Sequence, residues 1–369
     1  MTPFGNISVV INPSGQIPLY TCPPGCRVRI FDLVFSNTST SAISVGLWQS
    51  RNGTSTVTMN GRVVPALDSW LAPFKCNLNE GETLYATATV AGWVIASFNY
   101  ENVDIFDATL PTDTATYDTP GLFVDTTGKT AMATPLVAGQ RTMTGLILGQ
   151  SMVSNNVVGV TTPYVAGATV ANMHISGAFY RAEGALLGCG GNSADNPYSR
   201  FGDKMVAAGT VDRFNILNRC IGSTDPQHFA KAGHFAGHIS LAASNLRSAK
   251  LQADFVDLEW GSRAAVFGMS ATDFRDGLRA VVAWLRECGI YAPVFVAKHT
   301  RFGTLSLANA PAIRSGTDMA LSAALGIYDG PDMDTIPDTE RSGGGHLLTT
   351  GADSSAQLRY NHHAAFFGW

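Results

Sequence analysis

The chain has 369 residues, with 24 Lys and Arg against 28 Asp and Glu and a formal net charge of −4. At 14% charged and 45% hydrophobic it is no disordered chain, and without a basic block it is not built mainly to hold nucleic acid. No apolar run reaches the roughly 18 residues of a membrane span. Met1-Thr-Pro-Phe-Gly5 lacks the basic and apolar regions of a secretory signal, so synthesis in a cytoplasm without a membrane partner is expected.

The length suggests two or three domains. Residues 1–103 read as an all-β sandwich. Ile7–Ile11, Arg27–Phe35, Ile43–Trp48, Leu84–Thr89 and Trp93–Phe98 are short runs of β-branched and aromatic residues. Turn residues such as Pro13-Ser-Gly15, Pro23-Pro-Gly25, Asn52-Gly53, Asn60-Gly61 and Glu80-Gly81 separate them. Trp48, Trp70 and Trp93 read as core or interface residues rather than a sugar platform. Cys22-Pro-Pro-Gly-Cys26 has no second cysteine pair to complete a zinc site. It reads as a turn with reduced thiols, with a bridge open only to an oxidant. Residues 104–141, rich in Thr, Asp, Pro and Gly, read as a linker or loosely packed arm.

From residue 142 to 369 strand-like and helical runs alternate. Strands are expected at Met143–Leu148, Arg213–Leu217, Phe255–Leu258 and Pro293–Ala297. Helices are expected at Tyr198–Ala208, His238–Ala249, from Thr272 to a stop at Gly289, and at Asp353–Phe367. In the third helix Phe274, Leu278, Val281, Val282 and Leu285 share one face, and Ser270 or Thr272 can cap it. Repeated βαβ units predict a three-layer α/β domain with a flavodoxin-like parallel sheet.

In such sheets ligands bind beyond the carboxyl ends of the strands. Gly145-Leu-Ile-Leu-Gly-Gln-Ser-Met152 reads as a buried strand delivering Ser151, a candidate nucleophile, to that edge. Cys220–Thr224, Glu259–Arg263 and His299–Arg301 should gather there too. His346, in the loop Gly343-Gly-Gly-His346, is the candidate base. His234 and His238 have helical i,i+4 spacing but no evident third ligand, so no metal is expected. His362-His363 reads as a partly exposed helix face. Asp329-Gly-Pro-Asp-Met-Asp334 lacks calcium-loop spacing and reads as a turn.

Two resemblances add to this reading. Leu19-Tyr-Thr-Cys-Pro-Pro-Gly25, Asn37-Thr-Ser-Thr40 and Leu78-Asn-Glu-Gly-Glu-Thr-Leu-Tyr85 resemble small β-sandwich domains of bacteriophage virion proteins, which implies a docking or oligomerisation module. Residues 142–367 resemble SGNH-fold hydrolases, specifically sialate O-acetylesterase-like carbohydrate esterases. The matching blocks are Gly149-Gln-Ser-Met152, the glycine-rich Leu186-Leu-Gly-Cys-Gly-Gly-Asn192, Arg200–Met205, Trp260-Gly-Ser-Arg-Ala264, Gly268-Met-Ser-Ala271 and Gly343-Gly-Gly-His346. The resemblance implies Ser151 as nucleophile, His346 as base, and an oxyanion pocket around Gly190, Asn192, Trp260 and Gly261.

The departures fall on the chemistry. Gly343 stands where the family has its triad acid, and losing that role costs on the order of 10⁴ in rate in serine proteases. Trp260 replaces the block glutamine, Ser262 and Ala264 its acidic residues, and Met152 the asparagine after the nucleophile. Asp338 or Glu340 is the candidate replacement acid. The expectation is therefore a bacteriophage virion protein (tail fibre, spike or head decoration) assembled in the bacterial host cytoplasm. It would contact other virion proteins and host-surface glycan as a homo-oligomer, with a trimer foremost, through a weak or inactive esterase pocket that needs no cofactor. The alternative is an active carbohydrate O-acetylesterase working through Ser151 and His346.

Overall fold

The structure is a computed structural model that describes residues 4–11, 16–22, 26–51, 54–71, 76–78, 81–90, 94–104, 122–133, 135–137, 139–304, 306–343 and 345–369. Its residues cluster into two compact units. One holds the N-terminal strands with Leu136–Met143 and His363–Trp369; the other holds Thr144–His362 and the part of the chain just before residue 136.

The first unit contains nine strands: β1 (Phe4–Ile11), β2 (Ile17–Thr21), β3 (Cys26–Asn37), β4 (Ile43–Arg51), β5 (Thr54–Val64), β6 (Ser69–Leu71), β7 (Cys76–Leu78), β8 (Thr83–Ala88) and β9 (Val94–Asp104). They form two antiparallel sheets, ordered β1-β9-β3-β6 with β7 also on β3, and β2-β8-β4-β5. Alternation places the core: Val94, Ala96 and Phe98 are buried while Ile95 and Ser97 between them are not. Asn37 explains its own motif, since its buried amide donates to the carbonyls of Ser41, Val64 and Pro65 and accepts from Ser39 N–H. Asn60-Gly61, expected as a turn, instead lies inside β5. There the pairing slips from Val45–Arg62 to Leu47–Met59, a bulge that accommodates the extra residue. Trp93, and the side chain of Cys26, fall outside the described residues.

The second unit is built on an eight-stranded sheet ordered β10-β13-β12-β14-β11-β15-β16-β17. Its strands are β10 (Ala131–Met132), β11 (Thr142–Gly149), β12 (Val170–Met173), β13 (Phe179–Arg181), β14 (Arg213–Asn218), β15 (Phe255–Glu259), β16 (Val294–Lys298) and β17 (Ile327–Asp332). The pairs β12/β14, β11/β15, β15/β16 and β16/β17 are parallel. The helices are α1 (Pro197–Ala207), α2 (Ala236–Ser248), α3 (Ser262–Val266), α4 (Ala271–Glu287), α5 (Ala310–Ala320) and α6 (Thr349–Phe367). Ser270 is the residue that caps α4, accepting from Asp273 N–H at 3.0 Å, and the expected apolar face is fully buried.

Several expectations need correction here. The carboxylate-rich stretch read as a turn supplies the end of β17, where Asp332 and Asp334 pair with Arg314. Charge at a strand end masks its β character. His363, read as part of an exposed face, is fully buried, as is Arg359 one turn before it. Part of the stretch read as a linker is used by the sheet: Ala131–Met132 pairs with β13, and Phe123 exchanges main-chain hydrogen bonds with Gly188 and Cys189.

β11 is the strand that positions the site, and its glycines let its neighbours approach. A Cβ on Gly149 would lie 2.5 Å from the Glu259 carbonyl oxygen, which already accepts from Gln150 N–H. Gly149→Ala should therefore destabilise the protein by about 1–3 kcal/mol. Gly343→Ala, where the same atom meets nothing within 4 Å, should shift stability by less than about 0.5 kcal/mol. Urea midpoints of the two variants test the pair.

Candidate active site

β11 ends in a sharp turn. Gln150 is extended, and Ser151–Val153 make one 3-10 turn closed by Val153 N–H to Gln150 O. The Ser151 carbonyl accepts from Ser154 Oγ at 3.0 Å and Asn156 Nδ2 at 3.3 Å. Its own hydroxyl and N–H make no hydrogen bond among the described residues. The buried Asn155 then ties this turn to the glycine-rich segment. Its amide exchanges two 2.8 Å bonds with the main chain of Leu186, and its N–H donates to Gly190 O. Gly191 has φ +78°, and a Cβ there would meet Asn155 O at 2.3 Å, so only glycine fits.

Ser151 and His346 wall the same cleft, of about 660 Å³. Gln150, Asn156, Gly190, Gly191 and the stretch Ile221–Ser223 line it with them, together with Ser262–Arg263, Val266–Phe267 and Phe302. The buried Gln150 side chain braces the floor, donating to Ser262 Oγ and accepting from Arg263 N–H. Of the proposed oxyanion donors, Gly190 already gives its N–H to Cys220 O at 2.7 Å. The Gly191 N–H next to it has no partner among the described residues. Asn192 is exposed and is not part of the lining. Trp260 is buried outside the lining and gives its indole N–H to Thr224 Oγ1 at 3.1 Å; Gly261 is likewise outside it.

His346 sits in the loop between the bridged residues Arg341 and Leu347. Its carbonyl accepts from Ser342 N–H, and its ring meets Phe302 edge-on at 5.7 Å. Nε2 is buried and has no hydrogen-bond partner among the described residues. Burial, and then His299, hold its pKa below 6.5, so the ring is neutral at pH 7 and able to take a proton. No described carboxylate pairs with it. Asp338 is 80% exposed and pairs with Arg301 at 3.2 Å. Glu340 has a buried carboxylate oxygen with no partner.

The carboxylate–histidine pair lies elsewhere. Glu259, the last residue of β15, and His299, one residue past β16, meet at 2.5 Å between Oε1 and Nδ1, both fully buried. Arg359 of α6 pairs with the other Glu259 oxygen and reaches Tyr198 Oη at 2.6 Å, while Tyr198 donates to Asp257 at 2.8 Å. Burial pushes the Glu259 carboxyl up, but Arg359 and then His299 outweigh it and hold it at about 2. The strand-end rule brings Glu259 and His299 to the same edge, but no motif pairs them with each other. The usable signal was position: two polar residues at the carboxyl ends of adjacent parallel strands.

Among the described residues no group of three or more His, Cys, Asp or Glu is placed to hold a metal ion. His238 is buried against Phe229 and Phe235, and burial lowers its pKa to about 4.

No protein-family model matches the chain, and no curated protein matches it. Solved structures do. An Arabidopsis thaliana protein aligns at 12% identity over 61% of this chain and 98% of its own, with a TM-score of 0.49. A carbohydrate acetylesterase from Xanthomonas citri aligns at 12% identity over 98% of this chain and 76% of its own, with a TM-score of 0.44. A carbohydrate acetylesterase family member from Sinorhizobium meliloti aligns at 12% identity over 62% and 100%, with a TM-score of 0.39. The parallel-rich sheet is consistent with the SGNH hydrolase fold.

The acid lability of the buried network follows from the Glu259 value. Its folded pKa of about 2 lies below the ordinary 4.5, so its stabilisation is complete above pH 4.5 and fades as pH falls towards about 2. Glu259→Gln leaves Arg359 buried without its closest carboxylate and should cost about 3–5 kcal/mol at pH 7. Its stability should also change less than the wild type's between pH 5 and about pH 3, which denaturant titrations at both values would measure.

Proposed function

We propose that the α/β unit hydrolyses acyl esters through Ser151 and His346, without a triad carboxylate. The observation that carries this reading is their shared cleft: an unbonded serine hydroxyl at the carboxyl end of β11, and a histidine held neutral with a free Nε2. In this reaction Ser151 Oγ attacks the acyl carbonyl and His346 takes the hydroxyl proton. The N–H groups of Ser151 and Gly191 are the available donors for the oxyanion. His346 returns the proton to the leaving alcohol, and water then cleaves the acyl-enzyme by the same steps. The acetyl ester of a carbohydrate is the substrate class implied by the resemblance of Gly149-Gln-Ser and its companion blocks.

A second reading keeps the cleft as a binding surface for host-surface glycan on a bacteriophage virion protein, a homo-oligomer fixed to other virion proteins through its β-sandwich. One observation favours it: no described carboxylate orients His346 or stabilises its protonated ring, which lowers the turnover to be expected from the pair.

Hydrolysis of 4-nitrophenyl acetate separates the readings. For the esterase, wild type exceeds Ser151→Ala, and His346→Ala loses about 10²–10⁴-fold, the usual share of a general base. Equal background rates in all three would leave the binding reading. The pH profile is a further check. The neutral ring is the active form, so kcat/KM should rise with pH and reach its plateau through a midpoint below 6.5.

A further inference from the structure

His346 lacks a carboxylate beside its ring, yet its main chain is gripped from both sides by one residue. Arg341 is almost fully buried, and its Nη1 donates to the carbonyl of Gly345, immediately before His346, at 3.1 Å. The Arg341 main chain bridges to Leu347, immediately after His346. The other guanidinium bonds run to Ile336 O from Nε, to Met333 O from Nη2, and from Nη1 to His299 Nε2 at 3.0 Å. A guanidinium only donates, so His299 Nε2 is the acceptor and its proton sits on Nδ1, facing Glu259. Every hydrogen-bond partner of the Arg341 guanidinium among the described residues is a neutral acceptor; Asp334, Glu259 and Asp338 act on it only as nearby charges.

A buried cation that hydrogen-bonds to no described carboxylate is a costly way to close a loop. A methionine or leucine would fill the volume, but neither has donors fixed in a plane to reach Gly345 and His299 together. We infer that Arg341 is the positioning residue of His346, and that the buried Glu259–His299 pair fixes the orientation of Arg341. The order of support runs from Arg359 to Glu259, His299, Arg341 and the Gly345 carbonyl, ending at the base. It does for His346 what a triad acid does for orientation, through the backbone instead of the ring. This inference rests on the reading of Ser151 and His346 as the catalytic pair.

The test uses the whole chain and two substitutions at His299. His299→Gln keeps both bond directions, an amide oxygen to accept from Arg341 and an amide N–H to donate to Glu259. His299→Leu keeps neither. With 4-nitrophenyl acetate, His299→Leu should lose about 10²-fold in kcat, as a slight misplacement of a reacting group does, with KM little changed because His299 does not line the cleft. His299→Gln should recover most of that loss. If His299→Leu does not fold by circular dichroism, Arg341→Lys, which keeps the charge but not the fork, takes its place with the same expected loss. A second readout needs no turnover. In histidine-labelled protein the His346 ring resonance, assigned with His346→Ala, should be the same in wild type and His299→Gln and shifted or split in His299→Leu. A wild-type kcat and ring signal in His299→Leu would overturn the inference. So would a His299→Gln variant as impaired as His299→Leu, which would make His299 a proton carrier instead. Should wild type not exceed Ser151→Ala, the esterase reading fails, while the ring resonances still decide whether Arg341 positions His346.

Discussion

The ion pairs of Arg359, buried without exposure to solvent, are the interaction on which the cleft-bearing edge of the α/β unit depends. Its guanidinium lies over the Tyr198 ring at 4.4 Å, pairs with Glu259, and stands 3.7 Å from Asp257. Any one of these charges alone would be expelled from such an interior. Together they fix where the ends of β15 and β16, the start of α1 and the middle of α6 meet. Such a network adds little net stability over well-packed apolar residues. What it adds is register: Asp257 and Glu259, on one face of β15, reach Arg359 and Tyr198 only if β15, α1 and α6 are set correctly against one another. The same register places Ser262 under Gln150 and carries His299 to Arg341.

The cleft combines a rigid serine turn with a less elaborated histidine loop. Ser151 is fixed through its carbonyl and through Asn155, whose amide locks the glycine-rich segment at the right distance, so its hydroxyl is left to the cleft. In the same cleft Arg263 pairs with Asp225 and lies 4.7 Å from the centre of Phe267, a ring 73% exposed at the rim. With its charge matched by Asp225, Arg263 gives the cleft little net pull on an anion.

Much of the fold was legible because its signals are local. The apolar face of α4, its Ser270 cap and its Gly289 stop stand in order in the sequence, as do the runs that became β11, β14, β15 and β16. Strands whose character is hidden were not legible: β5 for its polar alternation and its bulge at Asn60-Gly61, β17 for the aspartates at its end. At the site, Ser151 and His346 could be named because each ends or begins a recognisable element. The Glu259–His299–Arg341 arrangement could not. Its members lie 40 and 42 residues apart and meet only through strand order, and no spacing rule reports contacts of that kind. Asn155, next to a motif but not part of it, was missed for the same reason.

The long reach of these contacts has a consequence for how the protein acquires its site. Thr144 and Asp254 bond across 110 residues, and Gln150 and Ser262 across 112. β11 sits between β14 and β15, so its nearest later partners must all be in place before its serine turn has a floor. Loop closures of this length are slow to form and gain nothing until they are complete. Glu259 and His299 also remain better off in water until Arg359 arrives from α6. A growing chain on the ribosome therefore carries its serine for more than two hundred residues of synthesis before any cleft exists around it. Assembly of the pocket is a late event that waits for the His346 loop and α6, both of which follow the last strand of the sheet.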